Sequence, residues 1–300
     1  QARTRVSEAS PGAAVFDHKL VPAGAALPGW TPGDIAEIGP RNAPAQVHAL
    51  LRALRLAPLA SVVADHGPEP LAGLLSRMRL PEAAHVQGMS AQDLAEHLRP
   101  LPHREYSIAS IPEEGHLRLL VRRMSRADGT PGLGSGWLCD HVEPGGTIDL
   151  RLRRNPGFHP PSTALPLVLV GNGTGIAGLV APLRARIAAR AHAAWLLFGE
   201  RSPLHDRFYG EEIRGWLADG VLERVDLAFS RAPADPAYVQ DRLSAAGDTL
   251  RDWVGRGASI LVCGNATGMA PAVDAALAGI LGERVRDELR ATGRYRRDVY

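Results

Sequence analysis

Leu165-Pro-Leu-Val-Leu-Val170 runs straight into Gly171-Asn-Gly-Thr-Gly-Ile-Ala-Gly178, and a helical pattern follows. An apolar strand, a glycine turn and a helix in that order give the subset Gly173-x-Gly175-x-x-Gly178 the context of a dinucleotide fingerprint. The helix N-terminus beyond such a turn points free N–H groups and the positive end of its dipole at an anion. The same rhythm continues downstream. Apolar strands are predicted at Leu165 to Val170, Ala194 to Phe198, Arg224 to Phe229 and Ile260 to Val262, separated by helical patterns. That alternation predicts a doubly wound parallel sheet with helices on both faces, over residues 161–300.

Residues 1–160 have a different texture. Pro11-Gly12, Pro28-Gly29 and Thr31-Pro-Gly-Asp34 are turn signals around short apolar stretches, which suits strands of an antiparallel barrel, one of them Asp34 to Gly39. From Ala45 to Leu98, apolar residues such as Val47, Leu50, Leu51 and Leu54 recur at helical spacing, and Pro58, Pro68 and Pro81 cut the segment into short helices. Strands return at Arg104 to Ser110, His116 to Met124 and Gly146 to Arg154, with a helix at Ser135 to Val142. The fold class is therefore α+β followed by α/β: an antiparallel β-barrel with a helical insert at about 45–99, then the parallel-sheet domain.

The chain has 300 residues, 45% of them hydrophobic, which suits two domains with substantial cores. A formal charge of +2 argues against nucleic acid or an anionic membrane surface as partner. Lys19 is the only lysine, so phosphate contacts must come from arginines, hydroxyls or backbone amides. Cys139 and Cys263 are too few for a disulfide framework and lack metal-ligand spacing, so a reducing, cytoplasmic setting and no metal are expected. No apolar run reaches the roughly 18 residues of a membrane helix, and no signal-peptide pattern opens the chain. A first residue of Gln1 rather than Met suggests a piece of a longer protein.

Several segments carry candidate chemistry. Arg104 and Tyr106 share one face of a strand, while Ser107 points to the other or into a bend. Gly132-Leu133-Gly134-Ser135 opens a helix with Ser135 as its predicted N-cap, a second arrangement suited to a phosphate. Glu200 stands where an ordinary dinucleotide fold places the acid that binds ribose hydroxyls, which read alone predicts NAD. Each segment also has a plain structural reading, as a barrel strand, a capped helix or a solvated turn.

Arg104-Glu-Tyr-Ser107, the glycine turn and the terminus Arg294-Tyr-Arg-Arg-Asp-Val-Tyr300 occur in an order that resembles the FAD- and NADPH-binding half of diflavin reductases, within the ferredoxin–NADP reductase superfamily, and especially its sulfite reductase flavoprotein branch. The resemblance spans most of the chain. It implies that Arg104 meets the FAD pyrophosphate, Tyr106 packs on the isoalloxazine and the Ser107 hydroxyl approaches flavin N5. It implies that Gly132, Leu133, Gly134 and Ser135 form the second FAD phosphate motif, and that Gly173, Thr174 and Gly175 take NADPH. Arg201 then approaches the dinucleotide, and Ser230, Arg231, Tyr238 and Gln240 form the 2′-phosphate pocket.

Two departures stand out. Pro236 replaces a lysine usual in that pocket, and Asn265 replaces a usual aspartate. The resemblance further implies that Cys263 lies beside nicotinamide C4, that Asp298 falls near the nicotinamide, and that Tyr300 stacks on the flavin as a gate. Ser107, Cys263, Asp298 and Tyr300 are thus the expected catalytic set for hydride transfer from NADPH to FAD. The resemblance also implies that electrons then pass to an FMN-bearing, flavodoxin-like domain or protein and on to a haem protein. No FMN-binding pattern is visible in these residues. The alternatives are a stand-alone ferredoxin or quinone reductase without FMN, and a domain that kept the fold but lost flavin.

Overall fold

The computed structural model describes residues 2–24 and 28–300. The chain opens on β1 (Ala2–Arg5) and β2 (Val15–Leu20), which pair antiparallel, and continues into β3 (Ile35–Gly39). α1 (Pro44–Leu54) begins at a proline, where the missing N–H has no helical partner to lose, and buries the expected stripe Val47, Leu50, Leu51 and Leu54. Pro68 lies between two helices, as expected, but the break holds strands that the periodicity did not announce. It lies in a hairpin of β4 (Ser61–Ala64) and β5 (Gly67–Pro70), where both strands are edges and an absent N–H is tolerated; Gly67 supplies the turn with φ +106°. α2 (Leu71–Arg77) and α3 (Ala91–His97) complete the insert. Ser90 Oγ accepts the Asp93 N–H, and Asp93 Oδ2 accepts the Ser90 N–H, closing the start of α3. Leu71, Leu74, Leu75, Leu94 and the α1 stripe share one core.

β6 (Arg104–Ser107) and β7 (Leu117–Arg122) follow. The next helix starts earlier than its sequence suggests. α4 (Leu133–Gly136) has Gly132 at its N-cap and winds into a wider π turn, Trp137–His141. Ser135 lies inside the helix rather than capping it, because its hydroxyl accepts the Met124 N–H at 3.0 Å. β8 (Asp149–Arg153) ends this part. The strands form two three-stranded sheets, in the orders β1-β2-β7 and β6-β3-β8.

The alternation read from the sequence then unfolds as β9 (Leu167–Asn172), α5 (Ile176–Ala188), β10 (Ala194–Glu200), α6 (Gly210–Ala218), β11 (Leu222–Phe229), α7 (Val239–Ala245), α8 (Gly247–Gly255), β12 (Ser259–Gly264), α9 (Met269–Leu281), α10 (Glu283–Ala291) and β13 (Tyr295–Val299). All five strands are parallel, in the order β11-β10-β9-β12-β13. Strands covered on both faces must be apolar at every position, and β9 shows how. Leu167 and Leu169 enter the core shared with Leu179 and Leu183 of α5, while Val168 and Val170 enter the opposite core with Leu243, Trp253 and Leu277. The terminal Arg-rich segment, for which the sequence pattern announced no strand, pairs along β12 as the fifth strand.

Packing divides the chain into two compact units, each discontinuous in sequence. One holds Gln1–Ala36, Tyr106–Arg122 and Leu152–Tyr300; the other holds Glu37–Glu105 and Arg123–Arg151. Inside the first unit, charged side chains fasten β2 and β7 to the helices of the parallel sheet. Arg118 pairs with Asp17 at 2.7 Å and with Glu212 at 3.1 Å, while Arg184 reaches Glu114 at 2.7 Å and also pairs with Glu212. The Tyr209 ring lies 4.9 Å from the Arg118 guanidinium and 5.7 Å from that of Arg184.

His18 makes this unit acid-sensitive. Only 3% exposed, it is pushed down from 6.5 to about 4, by burial first and by Arg3 second. A depressed histidine contributes stability that is complete above its unfolded pKa and lost as pH falls through the folded one. Between pH 6.5 and 4, wild type should therefore lose about 3 kcal/mol more unfolding free energy than His18→Gln. Denaturant titrations over that range test it, and parallel slopes for the two proteins would refute it.

Candidate functional site

The glycines of the turn are required by a neighbouring strand. A Cβ on Gly171 would stand 2.5 Å from Cys263 O, and one on Gly175 would stand 2.4 Å from the same atom, so the ends of β9 and β12 touch backbone to backbone. Gly173 adopts φ +60°, a left-handed conformation that favours glycine. Gly178, in the first turn of α5, would collide with Cys263 Sγ at 2.8 Å. Asn172 closes the join, its Oδ1 accepting the Asn265 N–H at 3.0 Å. Asn265 in turn accepts the Gly268 N–H at 2.5 Å, so it shapes the loop before α9.

This close approach brings three distant residues together. Parallel register sets Cys263 opposite Asp298. The Ser107 hydroxyl donates to Asp298 Oδ2 at 3.1 Å and lies 4.0 Å from Cys263 Sγ, and the thiol stands 3.9 Å from the same carboxylate oxygen. Burial first, and the Asp298 carboxylate second, push the Cys263 thiol well above its ordinary pKa. The thiol therefore stays protonated, the form that is a poor nucleophile. Tyr300 is held beside this cluster by its backbone: its N–H donates to Gly264 O at 3.1 Å and its carbonyl accepts the Ala266 N–H at 3.0 Å. Its hydroxyl lies 3.5 Å from Thr174 Oγ1, and its side chain is exposed.

A second group forms where β10 and β11 end. The Ser230 N–H donates to Glu200 O at 2.9 Å and the Arg231 N–H to Arg201 O at 2.9 Å, so the two strand ends are tied together. Tyr238 precedes α7, its N–H donates to Asp241 Oδ2 at 2.7 Å, and the residue is 61% exposed; Gln240 lies in the first turn. Gly199 lets α7 approach, since a Cβ there would stand 3.3 Å from Val239 Cβ. Arg231 is exposed, and among the described residues its guanidinium has no partner. Arg201 lies close over Gly12.

Residues 169–275 match the family model of the oxidoreductase NAD-binding domain. The chain is 37% identical over 229 residues to the sulfite reductase [NADPH] flavoprotein alpha-component of Mannheimia succiniciproducens. It is 38% identical over 230 residues to that of Yersinia enterocolitica and 37% identical over 233 residues to that of Escherichia coli. Each alignment covers 71% of this chain and 38% of the relative, so the chain spans well under half the length of these proteins. Over most of its length the chain is thus similar to NADPH-linked flavoprotein components, and part of it matches an oxidoreductase NAD-binding domain.

One residue of the parallel-sheet part stands apart from the role its position suggests. Glu200, at the position where a dinucleotide fold commonly presents an acid to ribose, is buried and ion-paired to Arg122 at the end of β7. Burial pushes its carboxyl upward and Arg122 opposes the shift. Nothing in the local sequence announces Arg122, because its partner lies 78 residues away. The other expected FAD residues lie in or at the edge of the second unit. Arg104 turns its Nη1 back to the carbonyls of His103, at 3.0 Å, and Pro102, at 3.3 Å, and Tyr106 is half-buried on the same strand face. Gly132 needs its lack of a side chain, since a Cβ would stand 2.8 Å from Ser135 Oγ; Leu133 and Gly134 continue the turn into α4.

Proposed function

We propose that this chain is the NADPH-oxidising, FAD-binding module of a sulfite-reductase-type flavoprotein, with a FAD-binding domain over residues 1–160, a helical insert at about 45–99, and an NADP(H)-binding domain over 161–300. The observation that carries this reading is the convergence of Ser107, Cys263 and Asp298 beside a glycine turn. The residues fit a dinucleotide: the turn has a left-handed glycine and leads into a helix N-terminus, and Arg231 and Tyr238 stand exposed at the neighbouring strand ends. FAD, when bound, supplies a two-electron acceptor that can release electrons singly.

The chain's own residues orient and stabilise. The small Cys263 side chain leaves room for a flat ring at the end of the sheet. Asp298 holds the Ser107 hydroxyl in place and favours positive charge on a nicotinamide that is losing hydride. Tyr300 is assigned the role of gate. Both of its backbone groups are bonded, so opening needs only rotation of its ring and not detachment of the strand. Arg201, Ser230, Arg231, Tyr238 and Gln240 are assigned to NADPH, and Arg104, Tyr106 and Gly132 to Ser135 to FAD. The onward partners are an FMN-bearing domain or protein and then a haem protein, in the cytoplasm; no described helix is long and apolar enough to cross a membrane.

Purified protein given FAD should turn yellow and bleach anaerobically on addition of NADPH. Failure to take up FAD would overturn the reading. Arg231→Ala should raise KM for NADPH about tenfold or more while leaving KM for NADH nearly unchanged, since only NADPH carries the 2′-phosphate. Equal effects on both would remove Arg231 from that role.

A further inference from the structure

A buried ion pair lies under the glycine turn. Arg122 Nη2 meets Glu200 Oε1 with only 15% of the arginine side chain and 3% of the glutamate side chain exposed. A Cβ on Gly173 would stand 3.7 Å from Glu200 Oε1 and 3.8 Å from Arg122 Nη2, so both charges rest against the turn itself. The other carboxylate oxygen accepts the Arg201 N–H at 2.8 Å, and Arg122 Nη1 donates to Ala13 O at 3.3 Å. Glu200 cannot swing far, because it is the last residue of β10, paired in register with Phe229.

A fixed carboxylate at this place works against the turn. The free N–H groups and the helix dipole attract an anion, whereas a negative charge a few ångströms away in a poorly solvated setting repels one. Resting on the NADPH-dependent reading above, we propose that Arg122 is a positioning residue for the dinucleotide: its guanidinium cancels the charge of Glu200 and so allows the glycine turn to accept a diphosphate. Arg122 is too enclosed to grip the diphosphate itself. Its effect passes through Glu200, and that dictates the pattern of variants.

The dissociation constant of NADP+ is measured by calorimetric titration at one ionic strength for wild type, Arg122→Gln, Glu200→Gln and the double variant, each with a thermal melt. Arg122→Gln should weaken binding about tenfold, the effect of one unbalanced charge in a partly buried site. Glu200→Gln should bind as tightly as wild type or tighter, and the double variant should return close to the wild-type value. Loss of stability alone would weaken both single variants together, because breaking a buried pair from either side is destabilising. The charge mechanism instead sends them in opposite directions. A double variant as weak as Arg122→Gln, or an Arg122→Gln that binds normally, would overturn the proposal. Wild type failing to bind NADP+ would overturn the functional reading itself, and the wild-type titration alone reveals that.

Discussion

Asp298→Ala is expected to slow flavin reduction by NADPH about 10²-fold while changing NADP+ affinity much less. Two contributions vanish together. The carboxylate accepts the Ser107 hydroxyl at 3.1 Å, so without it the hydroxyl loses its anchor. Its negative charge is also withdrawn from the place where positive charge is proposed to grow during hydride transfer. Because that charge exists more fully in the transition state than in the bound ground state, the loss falls on the rate rather than on binding. Asp298→Asn separates the two effects: its side-chain oxygen can still accept from Ser107, so it should fall between wild type and alanine. Rapid-mixing measurements of flavin reduction decide the matter, and a rate in Asp298→Ala equal to wild type would show that the cluster is only structural.

Gly175→Ala should cost about 3 kcal/mol or more and abolish NADP+ binding. Local propensity points the other way. Gly175 has φ −59°, a helical value that alanine adopts readily, so by conformation alone the substitution should stabilise the chain by up to about 1 kcal/mol. The tertiary contact wins, because the new Cβ would lie 2.4 Å from Cys263 O and 2.6 Å from Gly264 Cα, backbone atoms of a central strand that cannot retreat. Relief requires parting β9 from β12, which moves Cys263 away from Ser107 and distorts the turn. Gly215→Ala is the control, within α6 and with nothing inside 4 Å of its Cβ; it should be neutral or mildly stabilising. Chemical denaturation of the two variants compares them, and a Gly175→Ala protein as stable as Gly215→Ala would dispose of the steric account.

How much of this was legible beforehand depended on the range of the interaction. The stripe Val47, Leu50, Leu51 and Leu54 announced α1 because its period is built from neighbours within two turns. The all-apolar run of β9 announced a strand buried on both faces. Pro68 marked a break between helices but not the hairpin inside it, since a proline blocks a helix interior yet is also accepted in a strand whose N–H side is free. Ser135 misled: its residue type suits a helix cap, yet a backbone N–H eleven residues upstream claimed its hydroxyl. The terminal segment carried a chemical motif, but its pairing as β13 depends on an exposed edge of β12 that only the folded sheet provides.

By itself the sequence determined the alternating strands and helices, the glycine turn and the residue types able to handle a dinucleotide, because period, propensity and spacing act over a few residues. Only the tertiary structure decided that Asp298 stands opposite Cys263 and within reach of Ser107, that Glu200 is neutralised by Arg122, and that Gly175 is forbidden a side chain by a passing strand. These are contacts between segments separated by tens to nearly two hundred positions. Their partners are chosen by strand register and by the need to compensate buried charge, and neither leaves a mark on the local pattern of residues.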